Sequence, residues 1–164
     1  MKQFVSLFAC CILVLGLTTA PADAQKLKGM VGMRMGLSVA SGGGGSQAGF
    51  QIGPMGELIF SKNMAVGTEF NINTQSGTPV EWADYFKYYF SIPGSKVRPY
   101  ANGGFSLWFV TGGPYFGLRF GGGANIPIAK NLYIPADMQL GPVFATGTTF
   151  FYFAITSGIR YEFQ

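Results

Sequence analysis

Apolar side chains return at every second position along most of this chain. Over residues 27–40, Leu27, Val31, Met33, Met35, Leu37 and Val39 share one parity, while Lys28, Arg34 and Ser38 hold the other. A period of two is the signature of a strand whose side chains alternate between two faces. The pattern recurs seven times and predicts further strands over 48–60, 64–73, 80–92, 97–110, 114–128, 132–144 and 149–163. The apolar parity gathers Phe50, Leu58, Val66, Phe86, Phe105, Leu118, Met138 and Ile155 with many similar residues, and Asp84 is its single charge. The other parity collects Lys28, Arg34, Glu57, Glu69, Lys87, Arg98, Arg119, Asp137, Arg160 and Glu162 among Gly, Asn, Gln, Ser and Tyr. That set has six cations and four carboxylates, an excess of two positive charges.

Charge decides which face is inside. Charged residues make up 11% of the chain, against about 25% in ordinary soluble domains. A soluble barrel, apolar within and polar without, needs many more charges on its larger outer face. An apolar exterior around a polar, glycine-rich interior fits a membrane barrel, and closure satisfies every backbone group in lipid. The predicted fold is therefore all-β, an eight-stranded antiparallel up-and-down transmembrane β-barrel. The tight turns at 61–63, 93–96 and 129–131 carry one lysine each, Lys62, Lys96 and Lys130, and are expected on the periplasmic side with both chain ends. The connections at 41–47, 73–79, 111–113 and 145–147 then face outward, too short for a folded adhesin head or a lid. Outward aromatics form two girdles in this threading, Phe50, Trp82, Phe109, Phe144 and Phe151 above, Phe60, Phe90, Tyr161 and Phe163 below. Pro54, Pro114, Pro127, Pro135 and Pro142 fall in or near strands, where a missing N–H predicts a bulge or a strand end.

The first residues read as an export signal. Lys2 precedes an apolar run from Phe4 to Leu17, and Ala22, Asp23 and Ala24 form a small-x-small cleavage site before Gln25. The run is shorter than the roughly 20 residues of a spanning helix. Residues 1–24 are thus predicted to be a signal peptide and 25–164 a single barrel domain. Cys10 and Cys11 leave with the signal, so no disulfide or Cys-based metal site is expected in the mature chain. The formal charge of +4 is scattered rather than clustered, which argues against nucleic acid as a partner.

The last strand reads Thr156-Ser157-Gly158-Ile159-Arg160-Tyr161-Glu162-Phe163, followed by Gln164. It resembles the C-terminal assembly signal of bacterial outer-membrane barrels, in which Gly158, Tyr161 and Phe163 occupy the signal positions. Tyr88-Tyr89-Phe90, the Pro-Gly turn, and Arg98-Pro99-Tyr100-Ala101-Asn102-Gly103-Gly104 also resemble the middle of small barrels of the OmpA-like and porin-family type. The resemblance implies an integral outer-membrane protein of a Gram-negative cell envelope, recognised by the barrel-assembly machinery. It also implies contact with outer-membrane lipid and lipopolysaccharide, and a monomer.

The sequence contains no histidine. Small-barrel hydrolases and acyltransferases of this membrane use histidine as base, so no enzyme is expected, nor any metal or cofactor. Gly121, Gly122 and Gly123 lack the Lys-Ser/Thr continuation of a phosphate loop. The inward charges are the candidate constellation, with expected pairs Arg34–Glu57, Glu69–Lys87, Arg119–Asp137 and Lys28–Glu162, Glu57 beside Glu69 and Arg119 near Arg160. Such a network either plugs the interior, giving a structural or envelope-integrity role, or lines a narrow pore for small solutes or small apolar molecules, with its excess positive charge favouring anions. Leu118→Arg on the lipid face is expected to be costly and Ser38→Ala nearly silent.

Overall fold

The computed structural model describes residues 28–43 and 45–163. The predicted signal peptide with Cys10 and Cys11, the cleavage site before Gln25, Leu27 and Gln164 lie outside the described residues. Eight strands follow in order: β1 (Lys28–Gly42), β2 (Gly45–Ser61), β3 (Met64–Asn73), β4 (Val80–Tyr89), β5 (Arg98–Val110), β6 (Gly113–Ala129), β7 (Leu132–Ala145) and β8 (Thr148–Phe163). Each pairs antiparallel with the next, and β8 returns to β1 to close the barrel. The start of β1 and the end of β8 lie beside the three lysine-bearing turns at one end, here the terminal end. The four connections at the opposite loop end carry no charged residue among those described.

The two parities separate as the alternation requires. Val31, Leu58, Phe86, Leu118, Leu140 and Ile155 are exposed on the outside, and the girdle residues Phe50, Phe109, Phe144 and Phe151 near the loop end and Phe60, Phe90, Tyr161 and Phe163 near the terminal end are exposed with them. Arg34, Glu57, Glu69, Lys87, Arg119, Asp137 and Arg160 are buried inside. An outer surface this apolar has no counterpart on a water-soluble monomer, where contiguous patches rarely exceed a few hundred Å².

The prolines behave differently from expectation at three positions. Pro114 sits at the start of β6, and a register shift lies between Pro127 and Ala129. Pro54, Pro135 and Pro142, however, lie inside strands whose register continues unbroken. Each keeps full pairing on one flank, with Met33, Asn125 and Phe151 respectively, and interrupts pairing on the other. One missing N–H therefore opens a gap on one side without inserting a residue. At Pro135, the Ser157 hydroxyl donates to the proline carbonyl at 2.7 Å. A second register shift, between Ile59 and Ser61, has no proline.

Strand β4 ends at Tyr89 rather than 92 because Ile92 accepts from Ser95 N at 3.1 Å, turning the chain at Pro93 and Gly94, although Phe90 N still bonds Pro99 O at 2.8 Å. The lysine turn at 129–131 closes through Asn131, whose φ of 62° is a left-handed conformation that asparagine tolerates.

Candidate functional site

An eight-stranded barrel is just wide enough for side chains to fill it, and the inward parity supplies those side chains in layers. Near the loop end, Trp108, Val143, Tyr152 and Ala154 form an apolar cluster, with Tyr115 and Phe150 against it. Trp108 packs edge-on against Tyr152, ring centres 4.8 Å apart, and donates its indole N–H to Ser106 at 2.9 Å. Tyr152 donates to Gln51. Beside this cluster, Ser38 donates to Asn73 at 3.1 Å and accepts from Gln75 at 3.2 Å.

Below lies the first ionic layer. Glu69 receives a guanidinium on each carboxylate oxygen, Arg34 on one and Arg119 on the other. Arg119 also lies 3.2 Å from Glu81, whose second oxygen accepts from Asn71 at 2.9 Å. Arg34 extends across the lumen to donate to Gln139 at 3.0 Å.

The second ionic layer is set among tyrosines. Lys87 pairs with Glu57, which also accepts from Tyr89 and, at 3.4 Å, from Tyr85. The Lys87 ammonium sits 4.2 Å from the ring centre of Tyr100 and 5.0 Å from that of Tyr85, a placement that favours a cation. Arg160 holds Asp137 at 2.9 Å and Asn125 at 2.8 Å, and Tyr100 donates to the same Asp137. At the terminal end, Glu162 meets Arg98 at 2.9 Å and Lys28 at 3.7 Å across the β1–β8 seam. Both cations are partly exposed there.

Of the pairs anticipated from sequence, the structure brings together Lys28 and Glu162. Of the anticipated group Arg119, Asp137 and Arg160, the structure pairs Asp137 with Arg160 and leaves Arg119 out, while Arg34 meets Glu69 instead of Glu57 and Lys87 meets Glu57 instead of Glu69. For Arg34, Lys87 and Arg119 the reason is geometric: long side chains in a narrow lumen reach across it to non-neighbouring strands, β1 to β3, β4 to β2 and β6 to β3, whereas Asp137 and Arg160 lie on the neighbouring strands β7 and β8. Sequence reasoning also left out Glu81, which is fully buried. Its signal was present, because Trp82, Asp84 and Phe86 occupy the outward parity and leave Glu81 with Ala83, Tyr85 and Lys87. Its inclusion reduces the excess of inward positive charge from two to one and balances the two enclosed layers, where Arg34, Lys87, Arg119 and Arg160 face Glu57, Glu69, Glu81 and Asp137. The expectation that this lining favours anions is corrected accordingly.

Each buried ion carries a desolvation penalty of several kcal/mol, offset only by well-placed partners and hydrogen bonds. Four cations answered by four carboxylates meet that condition in charge, and tyrosine hydroxyls complete the coordination of Glu57 and Asp137, although Arg34 Nε and Arg160 Nε have no hydrogen-bond partner among the described residues. No carboxylate of the enclosed layers stands apart from a cation or a donor. Among the described residues no group of three or more His, Cys, Asp or Glu side chains is placed to hold a metal ion. The glycines at 121–123 lie within β6 and form no loop.

In β8, Gly158 pairs with Arg34, Tyr161 with Val31 and Phe163 with Gly29. A Cβ at Gly158 would meet the Met33 carbonyl, and one at Gly29 the Phe163 ring, so both glycines permit close contact along the seam that closes the barrel.

No protein-family model matches the chain, and no curated protein matches it. Solved structures do match. Neisserial surface protein A (NspA) superposes with a TM-score of 0.71 at 18% identity, covering 82% of this chain and 97% of that one. The N-terminal β-barrel domain of Pseudomonas aeruginosa OprF gives 0.57 at 13% identity, over 85% and 98% of the two chains. The outer membrane protein OprG of the same species gives 0.55 at 12%, over 83% and 96%. Such identities carry architecture and not activity: this chain has the closed, eight-stranded fold of small bacterial outer-membrane barrels.

Proposed function

We infer that the protein is an integral outer-membrane barrel with a structural or envelope-integrity role, plugged by its own side chains and without catalytic activity. One observation carries this reading: two successive ionic layers fill the lumen, each cation answered by a carboxylate, beneath an aromatic cluster near the loop end. A solute path would have to break several buried pairs at once. The lysine turns belong on the periplasmic side and the uncharged loops outside, where they supply hydrogen-bonding groups but no cation for the phosphates of lipopolysaccharide.

The test is conductance of the refolded protein in a planar bilayer, after heat-dependent gel migration has established a closed barrel. Silence is expected under applied potentials of either sign. Reproducible steps whose size changes with Arg119→Glu or Glu69→Lys would replace the plugged reading with a narrow pore lined by these residues.

A further inference from the structure

Among the described residues, the lipid face contains one carboxylate and no other charged side chain. Asp84 lies on the outward parity of β4, half-buried, one pleat from Trp82 toward the barrel's middle. In register it stands between Thr68 of β3 and Phe105 of β5. None of the seven ion pairs among the described residues includes it. Its neighbour Thr68 already accepts the Trp82 indole N–H at 2.9 Å, and Trp82 is stacked on Phe70 with ring centres 5.6 Å apart.

Asp84 also lines one of two hollows of similar size in the outer wall formed by the described residues. A groove of about 760 Å³ runs over this part of the sheet, lined by Gly56, Thr68, Asp84, Gly103, Phe86 and Phe105 among others. A Cβ at Gly56 would have nothing within 4 Å, so the hollow is open space left by absent side chains. The volume is that of a small-molecule site, about 300–1,000 Å³, and its lining is almost wholly apolar.

Charge complementarity selects the occupant. A carboxylate in an apolar groove at membrane depth is answered by a cation or a strong donor, since an intramembrane ionisable residue goes with a partner. A hydrocarbon chain alone offers neither. A second copy of this chain offers no cation either, because Asp84 is the only charge on the lipid face among the described residues, and a two-fold contact would set it against its twin. The geometry points to a site for a lipophilic amine: an apolar chain lying along the groove past Phe86 and Phe105, with its single ammonium on Asp84. Near an interfacial tryptophan, that ammonium sits at the depth to which a charged head on an apolar stem reaches. This site lies on the outer wall and is separate from the plugged lumen.

The experiment uses the barrel in phosphatidylcholine nanodiscs, with amide resonances followed during titration by dodecylamine, dodecanol and dodecanoate at matched mole fractions. Dodecylamine is expected to shift the Gly56, Thr68, Asp84 and Phe105 amides saturably, at a mole fraction at least tenfold below any equal effect of dodecanol. Asp84→Asn is expected to erase that difference, and Gly56→Leu to abolish the shifts by filling the groove while leaving the carboxylate. Equal shifts with amine and alcohol, shifts spread over all eight strands, or an undiminished preference in Asp84→Asn would overturn the proposal. Concentration-dependent broadening of the same amides without added amine would overturn it too, in favour of self-association.

Discussion

Replacing Arg119 with methionine tests whether the lumen is balanced charge by charge. The side chain is 2% exposed and answers two carboxylates, Glu69 and Glu81. Its removal leaves Glu69 with Arg34, but leaves Glu81 with only the Asn71 amide. Three cations then face four carboxylates, and a buried charge that loses its partner destabilises by about 3–5 kcal/mol. The double variant Arg119→Met/Glu81→Gln restores parity at three and three. It is expected to recover more than half of the loss, leaving about 1–2 kcal/mol for hydrogen bonds no longer made. The assay is equilibrium urea unfolding in short-chain phosphatidylcholine vesicles, read by tryptophan fluorescence and by heat-dependent gel migration. Trp108 in the lumen and Trp82 on the lipid face report the two sides of the wall. The reasoning is refuted if the double variant is no more stable than Arg119→Met, or if Arg119→Met alone loses less than about 1 kcal/mol, the value of a solvent-exposed pair.

Leu118→Arg, on the lipid face near mid-bilayer, is expected to cost about 2–4 kcal/mol in the same vesicles; a neutral result would contradict the assignment of faces. Ser38→Ala, silent on sequence grounds, is now expected to cost about 1–3 kcal/mol, because the hydroxyl joins Asn73 to Gln75 in a buried cluster and its loss leaves Asn73 Oδ1 without its donor, while Gln75 keeps the Gln47 carbonyl at 3.3 Å. Gly158→Ala drives a methyl group toward the Met33 carbonyl. It is expected to weaken the purified, machinery-free barrel by about 1–3 kcal/mol; unchanged unfolding in vitro alongside impaired assembly in cells would mean that Gly158 serves recognition alone.

The wall of this barrel was legible in sequence because a strand's period leaves no choice once one face is apolar. The boundaries of β3 follow from parity and turn residues alone, as do the outward placements of Phe86 and Leu118. The pairing inside was not legible. Parity assigns Arg34, Glu57 and Glu69 to the lumen, yet which carboxylate Arg34 meets depends on how far a guanidinium reaches across the interior, a distance that no one-dimensional pattern contains. The prolines mark a similar boundary. Sequence shows that Pro54 lacks an N–H but not which flank it faces, and only the paired strands reveal that β1 loses nothing while β2–β3 pairing is interrupted. Parity places Tyr89 and Tyr100 among the inward charges but not at any one of them, and the structure shows their hydroxyls completing the coordination of Glu57 and Asp137.

The uneven charge of the two barrel ends bears on how such a chain enters a bilayer. Four hairpin tips must cross the hydrocarbon, and none of their described residues brings an ion to dehydrate on the way. Lys62, Lys96 and Lys130 occupy the tips that stay behind. Forcing one of those turns through mid-membrane would carry about 2–4 kcal/mol for its lysine, and three together would set a barrier that thermal motion rarely surmounts. With the lysine turns on the periplasmic side, as proposed above, insertion of this barrel is expected to proceed loop end first, its direction set by the turns rather than by the strands.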